Sequence, residues 1–343
     1  MKYSKNEINK AGNILKEREK CSNSEIIWAE DILTYLRIIH IPVLNTFQAT
    51  LRTRMKRNKY KGFVAQRLKR VSSIVFKLQR ESSMQLSRMQ DIAGIRVVLD
   101  NQRDLEFFKK EMENSKMKHE LLRAKNYIEE PKKSGYRGIH LIYKYHNEKT
   151  PESHGLSIEV QIRTKLQHAW ATAVETMGTF LGKSLKSSDG PQRILDFFKI
   201  TSSAFAYIED KPRHPDYKNL DSSQTFNRVI KEYTSLKISE RLRALTVAVD
   251  YIKTKTYGGK YYLIIMDFDE KKVRVIKYDK DQIEEANKKY TEIEREIQEG
   301  KPYQAVLVSI DSIDQLKKAY PNYFLDTREF IKYIDSIEKK IMA

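Results

Sequence analysis

Residues 87–100 read SRMQDIAGIRVVLD and residues 157–164 read SIEVQIRT. The first stretch carries an acid, Asp91, through a glycine turn into the strand-like run Ile95–Leu99, where a carboxylate is positioned to hold a metal. In the second, apolar Ile158, Val160 and Ile162 alternate with Glu159, Gln161 and Arg163. Period-two alternation marks a strand with one face buried and the other lined with chemistry. The two stretches thus offer two strand-borne carboxylates.

Working outward, the charge is unevenly placed. Residues 51–80 hold eleven basic side chains and no acid, whereas Gly259–Ala343 holds 16 Lys/Arg against 17 Asp/Glu. Of the net charge of +18, the last segment therefore carries −1 and residues 1–258 carry +19. Such an excess points to a polyanionic partner, either nucleotide phosphates or RNA. With 343 residues and a hydrophobic content of 40%, a soluble chain of two domains is expected. No apolar run long enough for a membrane span and no signal-peptide pattern at the start place it in the cytoplasm. The single Cys21 excludes a thiolate zinc site and leaves carboxylates as the natural metal ligands.

Between residues 69 and 80 the apolar positions Val71, Ile74, Val75 and Leu78 follow helical spacing, which puts Lys69, Ser73, Lys77 and Arg80 on the opposite face. A surface helix ordinarily mixes signs on that face; this one offers cations and a hydroxyl, as a triphosphate grip would. Further on, Lys132-Lys133-Ser134-Gly135-Tyr136-Arg137-Gly138 forms a polar turn that feeds a strand from Ile139 to Tyr145. Its glycines leave the Tyr136 ring free to project, either as a stacking platform for a base or as the surface tyrosine of an ordinary hairpin. Residues 165–178 read as a helix with His168 and Glu175 on one face, where a lone histidine is more often structural than catalytic. Together, two carboxylates, a basic helix and a glycine-tyrosine loop imply magnesium-dependent transfer of phosphate groups.

Taken in order, Arg67-x-Lys69-x3-Ser73-x3-Lys77-x2-Arg80, Gln90-Asp91-Ile-Ala-Gly-Ile-Arg96, Lys133-Ser-Gly-Tyr136, His140 and Glu159-Val-Gln-Ile-Arg163-Thr resemble the motifs of RelA/SpoT-type alarmone synthetase domains. The resemblance implies an α+β fold, a nucleotidyltransferase-like mixed sheet flanked by helices, and transfer of pyrophosphate from ATP to a ribose 3′ hydroxyl. It assigns the ATP phosphates to Arg67, Lys69, Ser73, Lys77 and Arg80, Mg2+ to Asp91, and stacking on the acceptor base to Tyr136. Glu159 becomes the general base or a second metal contact. Lys133, His140, Gln161, Arg163 and His168 complete the acceptor pocket. No His-Asp dipeptide occurs, so the hydrolase half of the long bifunctional members is not evident.

The composition shifts at Tyr257-Gly258-Gly259, dividing the chain into residues 1–257 and a small, separate α/β unit, residues 258–343. This arrangement is similar to the fused toxin–antitoxin synthetases of phage defence, the CapRel group. That resemblance implies a carboxy-terminal unit that inhibits in cis through Tyr320 and Tyr323 and is released by a phage structural protein such as capsid protein. The implied acceptor is the 3′ end of tRNA, with free nucleotides, giving ppGpp- or ppApp-type alarmones, as the alternative. A monomeric chain is expected.

Overall fold

The computed structural model describes residues 1–181, 185, 188–244, 261–267, 269–270, 272–279, 281–301, 303–309 and 327–342. Tyr320, Tyr323, the Gly258-Gly259 pair and the expected boundary after residue 257 lie outside them.

The chain opens with three helices, α1 (Lys5–Lys16), α2 (Asn23–Ile39) and α3 (Ile41–Arg57). The first two start at reciprocal capping boxes, Ser4 with Glu7 and Ser22 with Glu25, in which each serine hydroxyl accepts an amide N–H that the helix leaves unpaired. Pro42 does not end the helical region; it sits in the first turn of α3, where its missing N–H costs nothing.

There follow β1 (Gly62–Leu68), α4 (Val71–Arg80), β2 (Ala93–Leu99), α5 (Gln102–Glu113), β3 (Glu120–Asn126), β4 (Ile139–Lys144), β5 (Ser157–Thr164), α6 (Lys165–Leu181), α7 (Gln192–Ile208), α8 (Ser222–Ser235) and α9 (Ile238–Ala244). The last part contributes β6 (Tyr261–Asp267), β7 (Lys272–Tyr278), α10 (Ile283–Gln298), β8 (Tyr303–Ser309) and α11 (Arg328–Met342). Among the described residues the strands form one sheet of eight in the order β3-β4-β5-β2-β1-β8-β6-β7. Only β2 and β5 run parallel; every other neighbouring pair is antiparallel. The fold is therefore the α+β type with a mixed sheet flanked by helices, as expected.

In place of a sheet of its own, the segment after residue 258 supplies three strands to this common sheet, and the join is the pairing of Gln66 with Ser309 and Arg67 with Val308. Gln48 of α3 seals it by donating to the Ser309 carbonyl at 2.8 Å. The small core of β6, β7, β8 and α10 is local, centred on Leu263, Ile265, Tyr290 and Leu307. Helix α11, in contrast, buries Phe330, Ile334 and Ile337 among the aromatic side chains Phe197, Phe198 and Phe205 of α7. Full burial of such a side chain is worth about 1.5–3 kcal/mol, so the C-terminal helix is tied to the helical layer of residues 165–244. Charge balance marked these residues as a separate unit; hydrogen bonding and packing join them to the rest. Among the described residues no helix is long and apolar enough to cross a membrane.

Candidate active site

The register of the sheet assembles the site. Arg67, Gly94, Glu159, Ile142 and Arg123 lie side by side across β1, β2, β5, β4 and β3. Two residues along the strands, Ala65, Arg96, Gln161, His140 and Lys125 form a second row. Because residues i and i+2 of a strand share a face, both rows open on the same side, and all ten residues line one cavity of about 1130 Å³. Parallel pairing of β2 with β5 aligns Ala93 with Ile158, so Asp91 and Glu159 come to the same end of adjacent strands. Helix α4 supplies the opposing wall with Ser73, Phe76, Lys77 and Arg80, while its apolar stripe Val71, Ile74 and Leu78 is buried. Nine Lys/Arg against four Asp/Glu line the cavity, an excess of cations suited to a polyphosphate.

Asp91 is held by two ammonium groups: Lys69 donates to Oδ2 at 2.8 Å and Lys77 to Oδ1 at 3.0 Å. Burial works to raise its pKa, but the two lysines outweigh burial and hold the carboxyl below the usual range. Lys69 is itself shifted down, chiefly by burial, with Asp91 opposing.

Glu159 belongs to a closed ring of five side chains. His140 Nδ1 lies 2.7 Å from Oε1, and Gln161 donates to Oε2 at 2.7 Å. Arg163 in turn donates to the Gln161 side-chain carbonyl at 3.0 Å and to the Tyr136 hydroxyl through Nε at 3.1 Å and Nη2 at 2.8 Å. The Tyr136 hydroxyl reaches His140 Nε2 at 2.6 Å, which closes the circuit. Donors and acceptors match throughout if Tyr136 donates to Nε2 and His140 carries its proton on Nδ1, the tautomer this network assigns. Burial lowers the His140 pKa, which agrees with a neutral ring. For Glu159, burial pulls upward, but the hydrogen bonds from His140 and Gln161 and the charge of Lys69 prevail and bring the pKa down to about 2. A carboxylate that acidic is a weak proton acceptor at neutral pH. Of the two roles the resemblance implies for Glu159, the metal or hydrogen-bonding contact suits it better than proton abstraction.

The donor set fits a hard divalent cation. Two carboxylates meet on one wall, each oxygen keeps a lone pair beside its present hydrogen bond, and Mg2+ is ordinarily held by one or two carboxylates with substrate phosphates completing its shell. Among the described residues no cluster of three or more His, Cys, Asp or Glu forms a self-sufficient metal cage.

Of the residues expected for ATP, Arg67, Lys69, Ser73, Lys77 and Arg80 all line the cavity, as do His140 and Gln161. Four acceptor residues are placed differently. Arg163 is buried outside the lining, its guanidinium turned onto the Tyr136 hydroxyl and the Gln161 side-chain carbonyl. Tyr136 does not project: it is 6% exposed, with the Arg163 guanidinium 4.8 Å from its ring centre. The turn itself turns the ring inward. Gly135 (φ +85°) packs against α6 and α7, where a Cβ would lie 3.1 Å from the Lys199 backbone, and Gly138 (φ +150°) lets the Tyr136 hydroxyl approach to where a Cβ would stand only 3.0 Å away. His168 does not reach the cavity; it is buried with its ring edge-on to Phe63 at 5.8 Å. Lys133 also lies outside the lining, its carbonyl facing His214 at 3.2 Å, and the neighbouring Lys132 enters instead. If the Tyr136 hydroxyl satisfies three partners, Tyr136→Phe should lower stability by about 1–3 kcal/mol. An unchanged urea midpoint in that variant would mean a ring standing free of the network.

Sequence reasoning missed Arg123, Lys125 and Tyr127, all lining the cavity from β3 or just beyond it. Besides Phe76 of α4, the cavity presents the ring of Tyr127, edge-on to His140 at 5.2 Å with Lys132 Nζ 4.3 Å from its ring centre. Their i, i+2, i+4 spacing in Arg123-Ala-Lys125-Asn-Tyr127 was the signal available.

This face, with its two carboxylates and its row of cations, falls almost wholly in one stretch. Residues 66–178 match the region found in RelA/SpoT proteins. The RelA/SpoT region spans about a third of the chain and runs from the end of β1 through most of α6. The chain is 36% identical over 112 residues to the GTP pyrophosphokinase YjbM of Bacillus subtilis, covering 32% of this chain and 53% of that protein. It is 29% identical over 153 residues to the GTP pyrophosphokinase YwaC of the same organism, covering 42% of this chain and 69% of that one. The chain thus spans about half the length of the first of these relatives. Among solved structures, small alarmone synthetase 1 from Bacillus subtilis bound to its product pppGpp aligns with 51% of this chain and 92% of its own, at 25% identity and a TM-score of 0.45.

Proposed function

We propose that the chain is an ATP-dependent pyrophosphotransferase. The observation that carries this reading is the pairing of Asp91 and Glu159 at one end of adjacent strands, facing a cavity with nine cations; two relatives named GTP pyrophosphokinases support it. In the reaction, an acceptor 3′ oxygen attacks the β phosphorus of ATP, the bond from that phosphorus to the α–β bridging oxygen breaks, and AMP leaves with the electron pair. The hydroxyl proton passes to solvent. Lys69, Lys77, Arg67 and Arg80 offset the phosphate charge, Ser73 donates to it, and Mg2+ held between Asp91, Glu159 and the phosphates would supply Lewis-acid stabilisation.

Two acceptors fit. The names of the relatives favour a free guanine nucleotide and thus alarmone synthesis; the surplus of +19 on residues 1–258 favours the 3′ end of tRNA, whose pyrophosphorylation would block aminoacylation. In the fuller form of this second reading the chain is a translation-inhibiting toxin of phage defence, held off by its own C-terminal segment and released by a phage structural protein. Full-length protein incubated with γ-labelled ATP, Mg2+, deacylated tRNA and, separately, GDP, GTP or AMP separates the two. Label in tRNA supports the RNA acceptor; label only in nucleotides supports alarmone synthesis; transfer to none of them by the parent chain and by its Tyr320→Ala, Tyr323→Ala variant alike refutes the proposed activity if ATP binds. For the inhibitory segment, Tyr320→Ala with Tyr323→Ala is expected to raise transfer by the full chain at least about tenfold. A doubly substituted protein that folds but transfers no faster would remove the tyrosines from any inhibitory role.

A further inference from the structure

Helix α4 brings Lys77 and Arg80 to the cation wall, and its own sequence leaves its first turn uncapped: Arg70 occupies the N-cap position and makes no side-chain capping hydrogen bond. The first four amide N–H groups of a helix need acceptors from elsewhere. The buried amide of Val71 finds one far along the chain, in Glu294 of α10, whose Oε1 accepts it at 2.7 Å. The other oxygen, Oε2, accepts from Arg37 Nη1 of α2 at 2.7 Å, with the two side chains 5% and 3% exposed. The Arg37 guanidinium lies 4.6 Å from the ring centre of Tyr290, one turn earlier on α10. One carboxylate therefore bridges the N-terminal helices, the phosphate-gripping helix and the C-terminal segment, and a negative charge at a helix N-terminus is where the helix dipole favours it.

We propose that Glu294 is a positioning residue of the active site: by capping α4 in trans it fixes the rotation and height at which Ser73, Lys77 and Arg80 face the cavity. The C-terminal segment then builds the phosphate grip, whatever else it does to access. Glu294 touches no cavity atom itself, so its effect is transmitted through the backbone of Val71.

Removing Glu294 alone would strand a buried guanidinium and confound capping with unfolding, so the test uses two double variants of the full chain. Arg37→Met with Glu294→Met removes both buried charges and the cap. Arg37→Met with Glu294→Gln restores an oxygen acceptor for Val71 without the ion pair. The capless protein is expected to melt within about 5 °C of its glutamine counterpart. Its peptides spanning residues 69–80 should exchange amide hydrogen at least about tenfold faster, and its Kd for the non-hydrolysable α,β-methylene ATP should rise about tenfold by calorimetry. The glutamine protein should stay within about threefold of the parent chain in both readouts. Equal exchange over residues 69–80 in the two double variants overturns the capping role; faster exchange with equal nucleotide affinity overturns its bearing on the grip. The affinity arm rests on the pyrophosphotransfer reading. A parent chain that binds no ATP analogue would sink that reading and the grip with it, while the exchange arm still decides whether Glu294 caps α4.

Discussion

Glu159→Gln is expected to slow pyrophosphate transfer on the order of 10³-fold while the fold persists. The exchange is nearly isosteric and leaves Ile158 and Val160 in the core beneath the strand, but it removes the one negative charge that β5 brings to the cavity. An amide has a single acceptor oxygen, whereas the carboxylate satisfies His140 on one oxygen and Gln161 on the other. The variant must turn an NH2 group toward one of those donors, and the neutral imidazole can accommodate it by moving its proton to the other nitrogen. The pH dependence follows from the depressed pKa. Relative to an ordinary glutamate at 4.5, a folded-state value of about 2 means that the ionised side chain stabilises the fold above pH 4.5 and that this contribution is lost as the pH falls toward 2. The stability gap between parent and Glu159→Gln should be flat from pH 7 to about 5 and shrink between 4.5 and 2. Urea unfolding at pH 7, 4.5 and 3 measures it. Wild-type turnover in the variant would remove Glu159 from the chemistry, and a gap that widens on acidification would contradict the ring.

Asp91→Asn carries the second large effect, an expected loss of transfer on the order of 10³-fold, with weaker binding of ATP. The carboxylate performs two tasks that asparagine cannot share. It supplies the shared counter-charge for Lys69 and Lys77 at the cavity wall, and it offers the remaining lone pairs to a divalent cation. With an amide in its place, two ammonium groups share a buried site without a counter-charge, and Lys69, already lowered by burial, should fall further. Transfer measured against Mg2+ concentration distinguishes the tasks. If Asp91 holds the metal, the variant's requirement for Mg2+ rises; if it only orders the lysines, the maximal rate falls at an unchanged Mg2+ midpoint. Full activity would exclude both.

Much of this site was legible in the primary structure because its chemistry sits on regular elements. SIEVQIRT displays its polar face at a glance, and the cations of residues 67–80 stand out against the absence of acids. Strand β1 was hidden by that same basic run: Gly62–Leu68 is central in the sheet and buried on both faces over Val64-Ala65-Gln66, so it shows no alternation. Strand β3 was hidden for the opposite reason, since as an edge strand with mostly exposed residues it buries little. The inward turn of Tyr136 depends on partners from other segments, with Arg163 and His140 claiming its hydroxyl, and no local rule for glycine turns reports those. The union of β8 with β1 is likewise a long-range pairing, invisible to composition, which sees only that the charge density changes near residue 257.

That union also sets an order in time. During synthesis the RelA/SpoT region leaves the ribosome well before Tyr303–Ser309, and at about 5–20 residues per second the interval is roughly 7–26 s. Through that interval β1 has a partner in β2 but none on its other edge, α4 lacks Glu294, and Arg37 has no carboxylate. An unpaired edge invites association with other nascent chains. The completed phosphate wall therefore arises only once Glu294 and Tyr303–Ser309 have been made, so a translation product that stops short of them would be born without it.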